Sequence, residues 1–171
     1  GVFISFFRGT PLLVQLFLFY YGLPQAVAFF TRIDGITAAM LGLTLHFSAY
    51  MAESLRGAIL GVARDQWEAA RSVGMTEVQT MRRIILPQAL KISIPGIVGT
   101  FIGVFKDTTL VTFVGLFDPL KQMADTIRAT FEWKGAYWEP YVFTGTIFFF
   151  ICFAMSRYAM HLEQRLKREH R

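Results

Sequence analysis

Trp67-Glu68-Ala69-Ala70-Arg71-Ser72-Val73-Gly74, then nine residues, then Ile84-Ile85-Leu86-Pro87, is polar and charged where the flanking sequence is apolar. Its local physics describes two short helices and a sharp corner. Glu68 is expected in the first turn of the first helix, where a carboxylate suits the positive end of the helix dipole, and Ala69, Ala70 and Val73 form a narrow apolar stripe. Gly74 ends that helix in the left-handed conformation that glycine tolerates best. Thr76 opens the second helix, with Gln79 at the spacing of a reciprocal cap, and Pro87 is expected to stop or kink it. An amphipathic hairpin on a soluble surface would share these local features, so the surroundings decide.

Those surroundings are those of a membrane protein. Of 171 residues, 54% are hydrophobic, 16% aromatic and 17% charged, and the mean hydropathy is +0.44. That is too apolar for an ordinary soluble domain. A net charge of +5 raises nucleic acid as a partner, but the cations flank apolar runs instead of alternating with a soluble aromatic platform. The single cysteine, Cys152, excludes an intrachain disulfide and most metal sites. The sequence contains no phosphate-binding loop and no Cys/His metal spacing, so an ATPase activity would have to come from a partner and no cofactor is expected on this chain.

A membrane-spanning helix needs roughly 20 mostly apolar residues, and four stretches qualify: about 11–30, 36–60, 94–117 and 141–162. They make one all-helical transmembrane domain over 1–171, interrupted by the polar loop 62–91. The opening Gly1-Val2-Phe3-Ile4 is already apolar and lacks a methionine, so the chain is expected to be the later part of a longer protein. Orientation follows from the cations. Arg64, Arg71, Arg82, Arg83 and Lys91 place the loop in the cytoplasm, and Arg157, Arg165, Lys167, Arg168 and Arg171 place the C-terminus there too. The connection 118–140 sets Lys121, Arg128 and Lys134 against Asp118, Asp125, Glu132 and Glu139, and the turn with Arg32 and Asp34 is neutral, so both face outward. The outer connection has room for a short helix over 119–131, followed by an interfacial belt of Trp133, Tyr137 and Trp138.

Charges inside spans are costly and face cavities or partners. Lys106 and Asp107, expected near the middle of the third span, read either as part of a structural ion-pair set with Glu53 and Arg56 or as the lining of a path for a polar solute. The candidate path comprises Tyr50, Thr100, Lys106, Asp107 and Thr108, with Thr109 adding a further hydroxyl. Gly96, Gly99 and Gly103 share a helix face and read first as a helix-packing surface. His46, mid-span, reads first as an interhelical hydrogen-bond partner. An ATP-independent channel or ion-coupled transporter, with His46, Lys106 and Asp107 as a relay, is the rival reading. An intramembrane enzyme would need a nucleophile paired with a base, or a metal-ligand pair such as His-Glu-x-x-His, and neither is present.

The spacing of the polar loop, Glu-Ala-Ala, three residues, Gly, nine residues, Ile-x-Leu-Pro, resembles the cytoplasmic loop of the membrane subunits of ATP-binding cassette importers. The likeness covers most of the chain. Arg8-Gly9-Thr10-Pro11-Leu12-Leu13-Val14-Gln15, Ser48-Ala49-Tyr50-Met51-Ala52-Glu53-Ser54-Leu55-Arg56-Gly57, Leu86-Pro87-Gln88-Ala89-Leu90 and Phe105-Lys106-Asp107-Thr108-Thr109-Leu110 are similar to permeases of polar amino acid importers. Val114-Gly115-Leu116-Phe117-Asp118 and Cys152-Phe153-Ala154-Met155-Ser156-Arg157-Tyr158 look most like the general L-amino acid branch. Gly99, Ser5 and Asp65 depart from the usual Asn, acidic residue and Gly of such subunits.

The resemblance implies a type I importer permease fold of five or more spans, the first of them upstream of Gly1, in a bacterial inner membrane. It implies two ATP-binding cassette subunits that carry ATP and magnesium, a like or sister permease, an extracytoplasmic solute-binding protein and an L-amino acid substrate. Coupling to the ATPase would then fall to Gln66, Glu68, Ala69, Ala70, Arg71, Gly74, Leu86 and Pro87.

Overall fold

The computed structural model describes residues 1–27, 33–116, 119–130, 135 and 138–168. The end of the first expected span at 28–30, together with Arg32, Phe117, Asp118, Glu132, Trp133, Lys134, Tyr137 and Arg171, lies outside the described residues, as do the side chains of 166–168. Every regular element among the described residues is helical.

The chain opens with α1 (Val2–Gly9) and α2 (Leu12–Phe17), which continues through a π turn (Leu18–Gly22) into α3 (Leu23–Ala26). The span expected over 11–30, with a kink or boundary at Gly22 and Pro24, is one arm of a bent hairpin, because α1 meets it at 102°. Pro11 is the cause. It pushes the preceding residue out of the helical region, and Thr10 sits at φ −117°, ψ 141°. By length and composition the bent pair Val2–Gly9 and Leu12–Ala26 passes together as one broken span or a re-entrant loop.

α4 (Gly35–Leu60) is capped by Asp34, whose Oδ1 accepts from the Thr37 N–H at 2.9 Å. The hydrogen bonds from Thr37 hold the Asp34 carboxyl below the ordinary carboxylate range. After the polar corner, α6 (Glu77–Thr80), a π turn (Met81–Ile85), α7 (Leu86–Asp107) and a 3-10 turn (Thr108–Val114) form one continuous helical run from Glu77 to Val114, which Gly115 ends at φ +80°.

Pro87 thus does not stop the helix. In the π turn before it, the Leu86 N–H reaches back five residues to the Met81 carbonyl, and the widened register absorbs the missing proline donor. The same device precedes Pro24, where the Leu23 N–H bonds the Leu18 carbonyl. α8 (Pro119–Ala129) is the expected outer helix, and Trp138 beyond it is exposed. α9 (Glu139–Arg168) starts beside the end of α7, where Phe105 and Phe148 rings lie 5.0 Å apart.

Small residues let the helices approach closely. A Cβ at Gly42 would come within 2.7 Å of the Leu16 side chain, and one at Gly96 would collide with the Ser54 hydroxyl. Two apolar clusters tie the ends of this arrangement. Leu12, Leu16, Ala39 and Val114 join the hairpin to α4 and the end of the third run. Ala58, Val62, Ile85 and Ala89 join the C-terminal end of α4 to the start of α7, with Trp67 packed against them.

Candidate functional site

Two places carry polar groups that the fold does not need for packing alone. The first is α5 (Arg64–Ser72) and the corner after it. Trp67 packs against the second cluster, Ala70 is buried at 2% exposure, and Gln88 Nε2 donates to Gln66 Oε1 at 3.2 Å. Glu68 and Ala69 lie roughly 160° and 100° around α5 from Ala70 and Val73 just beyond the helix end, and all three are exposed. The expected stripe of Ala69, Ala70 and Val73 is thereby divided between two sides of the helix. Asp65, and not Glu68, occupies the first turn, because α5 begins at Arg64. The Glu68 carboxylate has no hydrogen bond or ion pair among the described residues.

The corner is closed by a Schellman motif, with the Met75 N–H on the Ala70 carbonyl at 3.1 Å and the Gly74 N–H on the Arg71 carbonyl at 3.0 Å. Gly74 sits at φ +79°, as its position required. Thr76 and Gln79 complete the reciprocal cap, with the Gln79 N–H on Thr76 Oγ1 at 3.3 Å and the Thr76 N–H on Gln79 Oε1 at 3.0 Å. Arg71 bridges the corner to Glu77 at 3.2 Å. Both partners are well exposed, so this pair steers geometry more than it stabilises. Pro87 is exposed and Leu86 half-buried, one helical step above Gln88.

The second place is a pair of adjoining cavities. One of about 380 Å³ lies between α4 and α7, lined by His46, Phe47, Tyr50, Gly96, Gly99, Thr100, Gly103 and Asp107. The other, of about 490 Å³, lies under the α1/α2 break and shares His46, Tyr50 and Asp107, adding Arg8, Thr10 and Leu110 among others. The Arg8 guanidinium stands 5.4 Å from the centre of the Tyr50 ring and 3.7 Å from Glu53 Oε1. Glu53 is held in turn by Arg56, Nε to Oε2 at 3.0 Å.

Of the candidate path, the structure brings Tyr50, Thr100 and Asp107 together and leaves Lys106 and Thr108 out of the cavity lining. The reason is helical phase and length. α7 ends at Asp107, so Lys106 and Asp107 lie at the end of the α-helix and point to different sides, and Lys106 is exposed. The Thr108 hydroxyl donates to the Phe105 carbonyl at 2.7 Å, and Thr109 to Lys106 at 2.8 Å. The expected ion pairing of Asp107 with Arg56 does not occur, since Glu53 takes Arg56 and Arg8. Residues that sequence reasoning ranked low or passed over are His46, 6% exposed, and Arg8 and Gln15, which meet α4 only through the hairpin fold. The one signal was the polar Gln15 within an apolar run. Among the described residues no cluster of His, Cys, Asp and Glu could hold a metal ion.

Helices long and apolar enough to cross a membrane, two adjoining cavities that share His46, Tyr50 and Asp107, and an exposed helix ended by a glycine corner define a helical membrane protein. Over residues 1–168 the chain matches the binding-protein-dependent transport system inner membrane component family, and it belongs to that family. It is 52% identical to the glutamate/glutamine/aspartate/asparagine transport system permease protein BztC of Rhodobacter capsulatus, over 98% of this chain and 39% of that protein. It is 44% identical to the probable amino-acid ABC transporter permease protein PatM of Vibrio harveyi, over 98% of this chain and 73% of that one. To the inner membrane amino-acid ABC transporter permease protein YhdY of Escherichia coli it is 43% identical, over 96% of this chain and 44% of that protein. The chain thus spans less than half the length of two of these relatives. The fold is similar to that in a crystal structure of an amino acid ABC transporter with histidines, at TM-score 0.85 and 39% identity over 96% of this chain and 73% of that one.

Proposed function

We propose that the chain is the transmembrane subunit of an ATP-driven importer of L-amino acids in a bacterial inner membrane, with α5 and the C-terminus in the cytoplasm. The observation that carries this reading is α5 itself. It is a helix clipped to the bundle by Trp67 and Gln66, with Ala70 buried, and it leaves Glu68, Ala69 and, at its end, Val73 exposed, the Glu68 carboxylate without a partner among the described residues. An apolar and acidic face so presented suits a groove on an ATPase subunit. Its rigid connection to Ile85 and Ala89 at the start of α7 would carry movement of the groove into the spans. Gln66, Arg71, Gly74, Leu86 and Pro87 hold that helix at its angle.

The cavity offers a carboxylate from Asp107, a guanidinium from Arg8 and the Tyr50 phenol, which suit the ammonium and carboxylate of an amino acid. Two ATPase subunits, a like or sister permease and a solute-binding protein complete the importer. The ATP-bound partner must prefer one arrangement of the spans, since a ligand with equal affinity for both shifts nothing. The deciding experiment is uptake of labelled amino acids into vesicles holding the full complex, with and without ATP inside. Uptake that requires ATP and survives collapse of ion gradients supports the reading. Uptake that persists without ATP and fails with the gradient replaces it by ion-coupled transport.

A further inference from the structure

Three glycines of α7 line the cavity between α4 and α7: Gly96, Gly99 and Gly103. Two of them have a packing reason. A Cβ at Gly96 would strike the Ser54 hydroxyl, and one at Gly103 would press on the Phe47 ring at 3.4 Å. Gly99 has none. A Cβ there would meet nothing within 4 Å, and its backbone is not in the left-handed region, which only Gly74 and Gly115 among the described residues occupy. A helix-interior glycine loses about 0.5–1 kcal/mol relative to alanine, so neither packing nor backbone geometry accounts for this one. Gly57 and Gly145 are equally open, but neither lines the cavity.

What an absent side chain does leave at position 99 is space, in a cavity of about 380 Å³ that also holds Asp107, Tyr50 and His46. We propose that Gly99 is a specificity-determining residue, and that its missing side chain leaves room for the larger amino acid side chains while Asp107 and Tyr50 meet the polar end of the same molecule. This rests on the transport reading above. A side chain at 99 would start from α7 backbone that lines this cavity, with no atom within 4 Å of its Cβ to hold it back. It would shorten the room for a substrate side chain without touching the groups that meet its ammonium and carboxylate.

The test uses the full complex in vesicles, with wild type, Gly99→Ala and Gly99→Leu compared over a panel running from glycine, alanine and serine to glutamine, glutamate, leucine and arginine. Among the amino acids that the wild type carries, Gly99→Leu is expected to raise the apparent KM of the larger ones tenfold or more, the scale on which a methylene or two discriminates in a filled pocket. Uptake of the smallest is expected to stay within twofold. Gly99→Ala gives the same ordering at smaller amplitude, with a thermal midpoint equal to or above that of the wild type, so misfolding does not explain the loss. An unchanged substrate spectrum in Gly99→Leu overturns the proposal. So does an equal loss for every amino acid together with loss of the co-purifying permease partner, which would place Gly99 in a contact between subunits. Failure of the wild type to show ATP-driven uptake removes the transport reading first, and this proposal with it.

Discussion

Gln15 accepts a hydrogen bond from His46, Oε1 to Nδ1 at 3.1 Å, across a separation of 31 residues. The amide group of Gln15 faces the other way, with Nε2 donating to the Phe7 carbonyl at 3.0 Å, the Thr10 carbonyl at 3.0 Å and Thr10 Oγ1 at 2.7 Å. Thr10 in turn donates to the Phe6 carbonyl at 2.9 Å. The carbonyls that α1 leaves open at its C-terminal end are thus met by two side chains, one of which is tied to the middle of α4. Because the Gln15 oxygen can only accept, His46 carries its proton on Nδ1 and turns Nε2 to its other side. The 102° break is held by this network as well as by Pro11.

Replacing Gln15 by Leu keeps the volume and removes the four bonds that its amide makes. Gln15 is 2% exposed, so the carbonyls and the imidazole N–H would be left without water as well as without a partner. An unsatisfied buried group costs about 1–3 kcal/mol, and the purified complex should unfold several degrees lower in detergent, at about 2–4 °C per kcal/mol. An unchanged midpoint would show that the break stands on Pro11 alone.

Asp34 gives a pH signature at the other end of the bundle. Its folded pKa is depressed by the Thr37 bonds, so its contribution is present above the ordinary carboxylate value of about 3.9 and fades as pH falls through the folded value. Asp34→Ala should therefore lower the thermal midpoint at pH 7, and the gap to wild type should close below about pH 3.9. Asp34→Asn keeps a capping side chain that does not titrate, and it should remove the acid dependence while holding the midpoint. A gap in Asp34→Ala that persists unchanged in acid would mean that the charge is irrelevant to the cap.

At the corner, Gly74 and Glu68 separate folding from coupling. Gly74→Asn tolerates the φ of +79° and should transport like wild type, whereas Gly74→Ala carries a strain of about 1–2 kcal/mol there and should lower uptake. Glu68→Lys touches no described partner in this chain, so its membrane level and thermal midpoint should match wild type while ATP-driven uptake falls at least tenfold. Normal uptake by Glu68→Lys would remove α5 from the coupling path.

Much of this was readable from residues in order. The Gly74 turn, the Thr76 and Gln79 cap and the apolar lengths of α4, α7 and α9 depend on near neighbours alone, and near neighbours are what a sequence displays. The departures all involve longer reach or exact phase. Pro87 was expected to stop or kink its helix, and a π turn that begins six residues ahead of it, at Met81, lets the helix continue. Ala69 and Ala70 are adjacent in sequence and lie on different sides of α5. Arg8 and Gln15 reach α4 only because the hairpin folds back on it, a tertiary event with no local mark.

Lys106 and Asp107 provide the sharpest test of the cavity, because they are neighbours in sequence and differ in placement. Asp107 lines both cavities, beside His46 and Tyr50, whereas Lys106 is exposed on another side of α7. Asp107→Asn removes the one carboxylate among the residues lining either space, at nearly constant volume. If that carboxylate meets a substrate ammonium, the lost charge-assisted hydrogen bond is worth about 1.5–3 kcal/mol, and apparent KM should rise by about tenfold to a hundredfold at 1.4 kcal/mol per decade. Lys106→Gln should leave KM within twofold for every amino acid carried, because its side chain has no place in the lining. The opposite order, with Lys106→Gln impaired and Asp107→Asn intact, would move the path to the other face of α7 and away from Gly99.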